Sequence, residues 1–237
     1  MEGPVTIDFE TTDKEAKKAH AVEFAMHGKG FDIVELIKPP IPIPVETSAI
    51  HHICDADVER SRSWPEVKAD IRKLVDSLDR KVLIAHNASY EVDVLGAGFE
   101  DVEWICTYKC ALRLLPDAPN HKNETLRYLL ELPGIGRSAG QMTHSALHDC
   151  HVTFGLFQWM LTQTTLDQMI QWTKEHKAFT KIPFGKHVGA KWEMIPGDYL
   201  TWICKQVDMD PDIKACASGE LNKRRSYATA KSNQTSR

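Results

Sequence analysis

Apolar and polar residues alternate strictly at the start of the chain, with Val5, Ile7 and Phe9 set against Thr6, Asp8 and Glu10. Successive strand side chains point to opposite faces, so this period predicts a strand that carries Asp8 and Glu10 on one side. Runs at Ala21 to Met26 and Phe31 to Lys38, bounded by polar or glycine-containing turns, extend it into an antiparallel meander. Ile41 to Pro44 reads as a proline-rich exit loop. The spacing then changes to three and four. Val67, Ile71, Leu74, Val75 and Leu78 follow a Ser63 cap and predict a helix over 64–78. Lys81 to Ala85 reads as a short buried strand. Further helices are predicted from a cap at Asn87 or Ser89 to Leu95, over 107–115 and over 125–132. Strands alternating with helices predict a mixed α/β layer fold.

Three glycines and a proline make 133–140 (PGIGRSAG) a loop, and they do not fit GxGxxG. A long helix is predicted over 145–161, with Leu147, Phe154, Phe157, Met160 and Leu161 on one side. Thr165 and Gln168 form a capping-box pattern ahead of the stripe Leu166, Met169 and Ile170. From about Ser218 the chain turns polar and basic with nothing to bury, which predicts a disordered tail. The expected organisation is a first domain over 1–163, a connecting helix and linker over 164–180, a small module over 181–217 and the tail over 218–237.

Composition narrows the class. Of 237 residues, 42% are hydrophobic and 26% charged, as in ordinary globular proteins. No apolar run approaches the 18 or so residues of a membrane span, and the N-terminus lacks a basic segment followed by an apolar one. Six cysteines without a CxxC pair read as reduced thiols in a cytoplasmic protein. The charge is unevenly spread: residues 1–180 hold 19 Lys+Arg against 27 Asp+Glu, and residues 181–237 hold 10 against 6. The acidic part needs cations, and the basic part suits phosphates.

Asp8 and Glu10 on one strand face repel each other, and a divalent cation relieves that repulsion. Oxygen donors with partial hydration suit Mg²⁺ or Mn²⁺ rather than zinc. Taken alone, the pair reads as readily as two solvated surface acids. Asp149 on the long helix adds a third carboxylate, with His144 five residues before it. Five helical residues turn through roughly 500°, so both face one site only if His144 lies on the preceding loop. A histidine there suits a general base beside a fixed metal ligand.

Asp8-Phe9-Glu10, the AHNASYE run at 85–91, and His144 with Asp149 resemble the three signature motifs of the DEDDh 3′-to-5′ exonucleases. The resemblance implies a ribonuclease H-like exonuclease fold and hydrolysis with two Mg²⁺ (or Mn²⁺) ions. It implies that Asp8, Glu10, Glu91 and Asp149 hold the metals and that His144 takes the proton of the attacking water. The implied substrate is the 3′ end of DNA, with RNA trimming and an inactive end-binding module as alternatives. A homodimer is left open. At the second motif the family usually has Asp directly after the aromatic residue. This chain has Tyr90-Glu91, with Asp93 two positions on, and so resembles a DEEDh variant. Only one of Glu91 and Asp93 can reach the cluster, because they lie roughly 200° apart on a helix. Glu91 shares its face with Val94 and Leu95.

Phe9 (by its backbone), Thr11, His86 and Asn87 are expected around the terminal nucleotide, with His86 and Asn87 also buttressing the strand-to-helix turn. After Thr12 the family commonly places Gly and a bulky apolar wedge, where this chain has Asp13 and Lys14. His144, His148, Cys150 and His151 invite a zinc reading, but no HExxH or paired CxxC supports it. The FGKHVGAK stretch resembles the module that follows the nuclease domain in exodeoxyribonuclease X-like chains. Its Lys186 and Lys191, interleaved with aromatics, suit phosphate attraction and base stacking. Those aromatics equally suit the core of a very small domain.

Overall fold

The computed structural model describes residues 3–132 and 145–235, with side chains described as far as Tyr227. The strands are β1 (Val5–Thr11), β2 (Ala21–Gly28), β3 (Phe31–Lys38), β4 (Arg62–Ser63), β5 (Val82–Ala85) and β6 (Glu103–Cys106). The helices are α1 (Val45–His51), α2 (Asp55–Val58), α3 (Trp64–Asp76), α4 (Ser89–Leu95), α5 (Thr107–Leu114), α6 (Asn123–Leu129), α7 (Ala146–Leu161), α8 (Leu166–Lys174), α9 (Gly197–Lys205) and α10 (Pro211–Thr235). The strands form one mixed sheet in the order β4-β3-β2-β1-β5-β6. β1, β2 and β3 are antiparallel, while β5 and β6 add in parallel beside β1. This mixed sheet flanked by helices is the ribonuclease H-like layer arrangement that the sequence resemblance led one to expect.

The alternation in β1 gives the sheet two different faces. Val5, Ile7 and Phe9 pack with Phe24 and Met26 of β2 and with Val67, Ile71 and Val75 of α3 in the main apolar core. Thr6, Asp8 and Glu10 point the other way, toward α7. There Ala25, Ala146 and Cys150 are fully buried together. These small side chains let the α7 backbone approach the sheet closely. The Thr6 hydroxyl, itself wholly buried, lies 3.1 Å from the Cys150 carbonyl and 3.2 Å from that of His27, tying helix and hairpin to the central strand. Gly30, at φ 87°, turns the chain between β2 and β3, and the resulting register sets His27 directly opposite Asp32.

The chain divides into two compact units, Met1–Ala111 with Ala118–Thr173, and Leu112–Asp117 with Lys174–Arg237. Residues 166–173 of α8 therefore belong with the sheet rather than with a linker. In the second unit, Ile182, Trp192, Ile195, Leu200, Ile203 and Ala217 form a small core. The expected disorder from 218 onward is corrected by α10, which is helical through Thr235. Its start contributes to that core through Ile213, Ala217 and Leu221, so the helix is anchored before the polar stretch begins. Among the described residues, no helix is long and apolar enough to cross a membrane.

Candidate active site

Asp8 and Glu10 come from adjacent same-face positions of β1, and Asp149 from the first turn of α7. Carboxylate oxygens of these three residues all lie within 4.8 Å of one another. The start of α7 is fixed locally. The Ser145 hydroxyl accepts from the His148 amide, and the Ala146 amide donates to Glu23 Oε2 at 2.8 Å. Asn123 of α6 donates to the Asp149 carbonyl at 3.3 Å and to Thr153 Oγ1 at 3.1 Å, steadying the turn that presents Asp149.

Glu91 enters from α4 and is buried, whereas Asp93 is exposed. One Glu91 carboxylate oxygen is buried without a hydrogen-bond partner in the protein. An acid in that position needs either a proton or a cation. The electrostatics agree. Burial first, then the charges of Asp149, Glu91, Glu10 and Glu23, push Asp8 well above the ordinary carboxylate range. Burial and then Asp149 and Glu23 raise Glu10 to about 8, and burial raises Glu91 to about 8. An all-oxygen donor set with an orphaned buried oxygen fits a hard divalent cation, and these residues can bind one.

The other expected residues divide by role. The Phe9 side chain is in the core against Phe24 and Trp64, so only its backbone borders the site. Thr11 donates to the Asp13 carbonyl at 2.9 Å and contacts the Tyr90 hydroxyl, which also donates to the Asp13 carbonyl at 2.6 Å. His86 is a buttress. Its ring nitrogens lie 2.9 Å from Thr107 Oγ1 and 2.8 Å from the His121 carbonyl, and burial lowers it to about 4, so it is neutral. Asn87 turns the chain from β5 into α4 at φ 75°, a conformation asparagine tolerates better than most residues. His144 lies outside the described residues. His148 faces away from the carboxylates, 2.7 Å from Glu124 and beside Arg127.

One feature escaped the sequence pattern. Glu10, Thr11, Asp13, Lys14, Glu46, Thr47, Ile50 and His51 line a cavity of about 340 Å³ next to the acidic cluster. Half its wall is α1, which begins directly after the proline-rich stretch 41–44 and for which the sequence reading offered no element. In the second unit, Trp192 is buried and donates to the Phe179 carbonyl at 2.6 Å. Trp202 is 45% exposed, stacks on Tyr199, and the Lys186 ammonium sits 5.1 Å from the centre of the Tyr199 ring. Lys191 borders a separate polar cavity with Thr180, Glu193 and Lys223.

Clustered carboxylates at the centre of a ribonuclease H-like sheet define a metal-dependent nuclease. Residues 5–157 match the Exonuclease (RNase_T) family. The chain is 32% identical over 186 residues to Exodeoxyribonuclease 10 of Escherichia coli strain K12, covering 76% of this chain and 80% of the relative. A solved structure of Exonuclease X in complex with 5′-overhanging duplex DNA superposes with a TM-score of 0.61 at 29% identity, over 72% of this chain and 99% of that one. The nuclease domain of 3′hExo, a DEDDh family member bound to rAMP, shares the fold at a TM-score of 0.55 and 14% identity, over 68% of this chain and 92% of that one. The chain belongs to the exonuclease family, as a DEDDh-type 3′-to-5′ enzyme.

Proposed function

We propose that the protein removes nucleoside 5′-monophosphates from the 3′ ends of DNA in the cytoplasm, using two Mg²⁺ or Mn²⁺ ions. The convergence of Asp8, Glu10 and Asp149 carries this reading, with the unpaired buried oxygen of Glu91 beside them. In it, Asp8, Glu10, Glu91 and Asp149 hold the metals. When bound, the pair supplies positive charge that favours ionisation of the attacking water and stabilises the leaving 3′ oxygen. His144, five residues before Asp149 in the sequence, accepts the water's proton. The bond from phosphorus to the 3′ oxygen breaks as the new oxygen bond forms.

The cavity beside Glu10 receives the terminal nucleotide, with Ile50 against the base and Lys14 toward a phosphate. Lys186 and Lys191 attract the strand, and Trp202 offers a stacking surface. DNA is preferred because the similar Escherichia coli protein and the Exonuclease X complex act on or hold DNA. Five-prime-labelled DNA and RNA oligomers of one sequence, incubated with Mg²⁺ or EDTA, test the proposal. DNA should shorten from its 3′ end with Mg²⁺ alone. Equal or faster trimming of RNA overturns the DNA assignment, and no shortening of either removes the catalytic one.

A further inference from the structure

The face of the sheet that carries the acidic cluster carries a second group of ligand-type side chains at the turn end of the β2–β3 hairpin. The β1–β2 register pairs Thr6 with His27, and the β2–β3 register pairs His27 with Asp32. His27 and Asp32 thus stand in one row with Thr6, two residues along β1 from Asp8, or roughly 7 Å. α7 crosses above them and contributes His151. Asp32 Oδ1 lies 2.6 Å from His27 Nδ1 and 3.0 Å from His151 Nε2, and the three ligand atoms all fall within 4.8 Å of one another.

The supports of these side chains are fixed independently of any ion. The His27 ring packs edge-on against His151 at 4.4 Å and against Phe154 at 4.7 Å. The buried Thr6 hydroxyl holds the His27 and Cys150 carbonyls, one residue from His151. Hydrogen bonds from His151 and His27, working against burial, keep the Asp32 carboxylate below its ordinary pKa. The three side chains are 20%, 45% and 25% exposed for His27, Asp32 and His151, so an ion can enter from solvent.

We infer that His27, Asp32 and His151 form a second metal site, selective for a borderline transition ion such as Zn²⁺. Two imidazoles and one carboxylate suit Zn²⁺, which binds nitrogen at about 2.0–2.1 Å in tetrahedral geometry, and they suit Mg²⁺ poorly. Ligand atoms around such an ion stand roughly 3.3 Å apart at those bond lengths, so small rotations of partly exposed side chains admit it. A solvent molecule completes the fourth position. The ion bridges the hairpin and α7 and so holds the helix that presents Asp149 against the sheet.

The test is calorimetric titration of the full-length protein with ZnCl₂ in a large excess of MgCl₂, which occupies the all-oxygen cluster. The wild type should take up Zn²⁺ that Mg²⁺ does not displace. His27→Gln and His151→Gln should each weaken that uptake by about tenfold or more, while their melting in EDTA stays near that of the wild type. Asp32→Asn, altering the most exposed ligand, provides the variant least able to disturb folding and should weaken uptake likewise. Zn²⁺ affinity unchanged in Asp32→Asn and in either histidine variant overturns the site. So does a wild type that binds no Zn²⁺ beyond what Mg²⁺ displaces.

Discussion

Glu91 and Asp93 are two residues apart on α4 and meet opposite environments, one buried beside Asp8 and the other in solvent. Replacing Glu91 by Ala should lower nuclease turnover by about tenfold to a hundredfold or more, as loss of a group that orients a metal does. Asp93→Ala should leave it near wild type, and steady-state rates on one DNA oligomer compare them. The raised carboxylates also make a signed prediction. Glu10 and Glu91 move from an ordinary 4.5 to about 8 on folding, so between those values the folded protein binds more protons than the unfolded one. Stability without metal is therefore fully present below about pH 4.5 and falls as pH rises toward 8. In EDTA the melting temperature should drop across that window, and added Mg²⁺ should raise it more at pH 8 than at pH 5, which melting curves measure directly. Period-two alternation made Asp8 and Glu10 legible as a pair, and helical rotation separated Glu91 from Asp93. The Glu23 bond to the Ala146 amide and the Asn123 support of Asp149 were not legible, because they join residues 123 and 26 positions apart.

At the scale of elements, α7 is the piece whose placement matters most. The stripe read from periodicity mixes positions, with Phe157 and Met160 buried as a core face requires but Leu161 turned outward. Leu161 is 44% exposed, while Ala146, Cys150, Val152 and Leu156 are fully buried. Small side chains, not the largest ones, mark where the helix meets the sheet. Thr6→Val removes the hydroxyl between the Cys150 and His27 carbonyls and should cost about 1 kcal/mol of stability, read by urea denaturation. The long strands and helices followed from their patterns with ends shifted by a few residues. α1 and β6 did not. β6 has four residues, too few to establish a period, and α1 exposes Val45 and Ile50 instead of burying them. That exposure has a use in the proposed reading, since Ile50 lines the cavity beside Glu10.

At the scale of the molecule, the proposed reading gives the acidic sheet unit the holding of cations and the basic C-terminal unit the attraction of phosphates. The C-terminal aromatics divide by environment: Trp192 is core, and Trp202 is half exposed on Tyr199. Replacing Lys186 and Trp202 by Ala should weaken DNA binding and flatten its salt dependence by up to about one unit of slope for the lysine. Fluorescence anisotropy at several salt concentrations measures both, and unchanged binding would remove this unit from substrate recognition. The central claim is that side chains from β1, α4 and α7 converge to trap hard cations. Anomalous diffraction from a crystal soaked in Mn²⁺ tests it most directly. Manganese density should lie bounded by Asp8, Glu10 and Asp149 with Glu91 alongside; carboxylates turned apart with no manganese between them would refute the convergence.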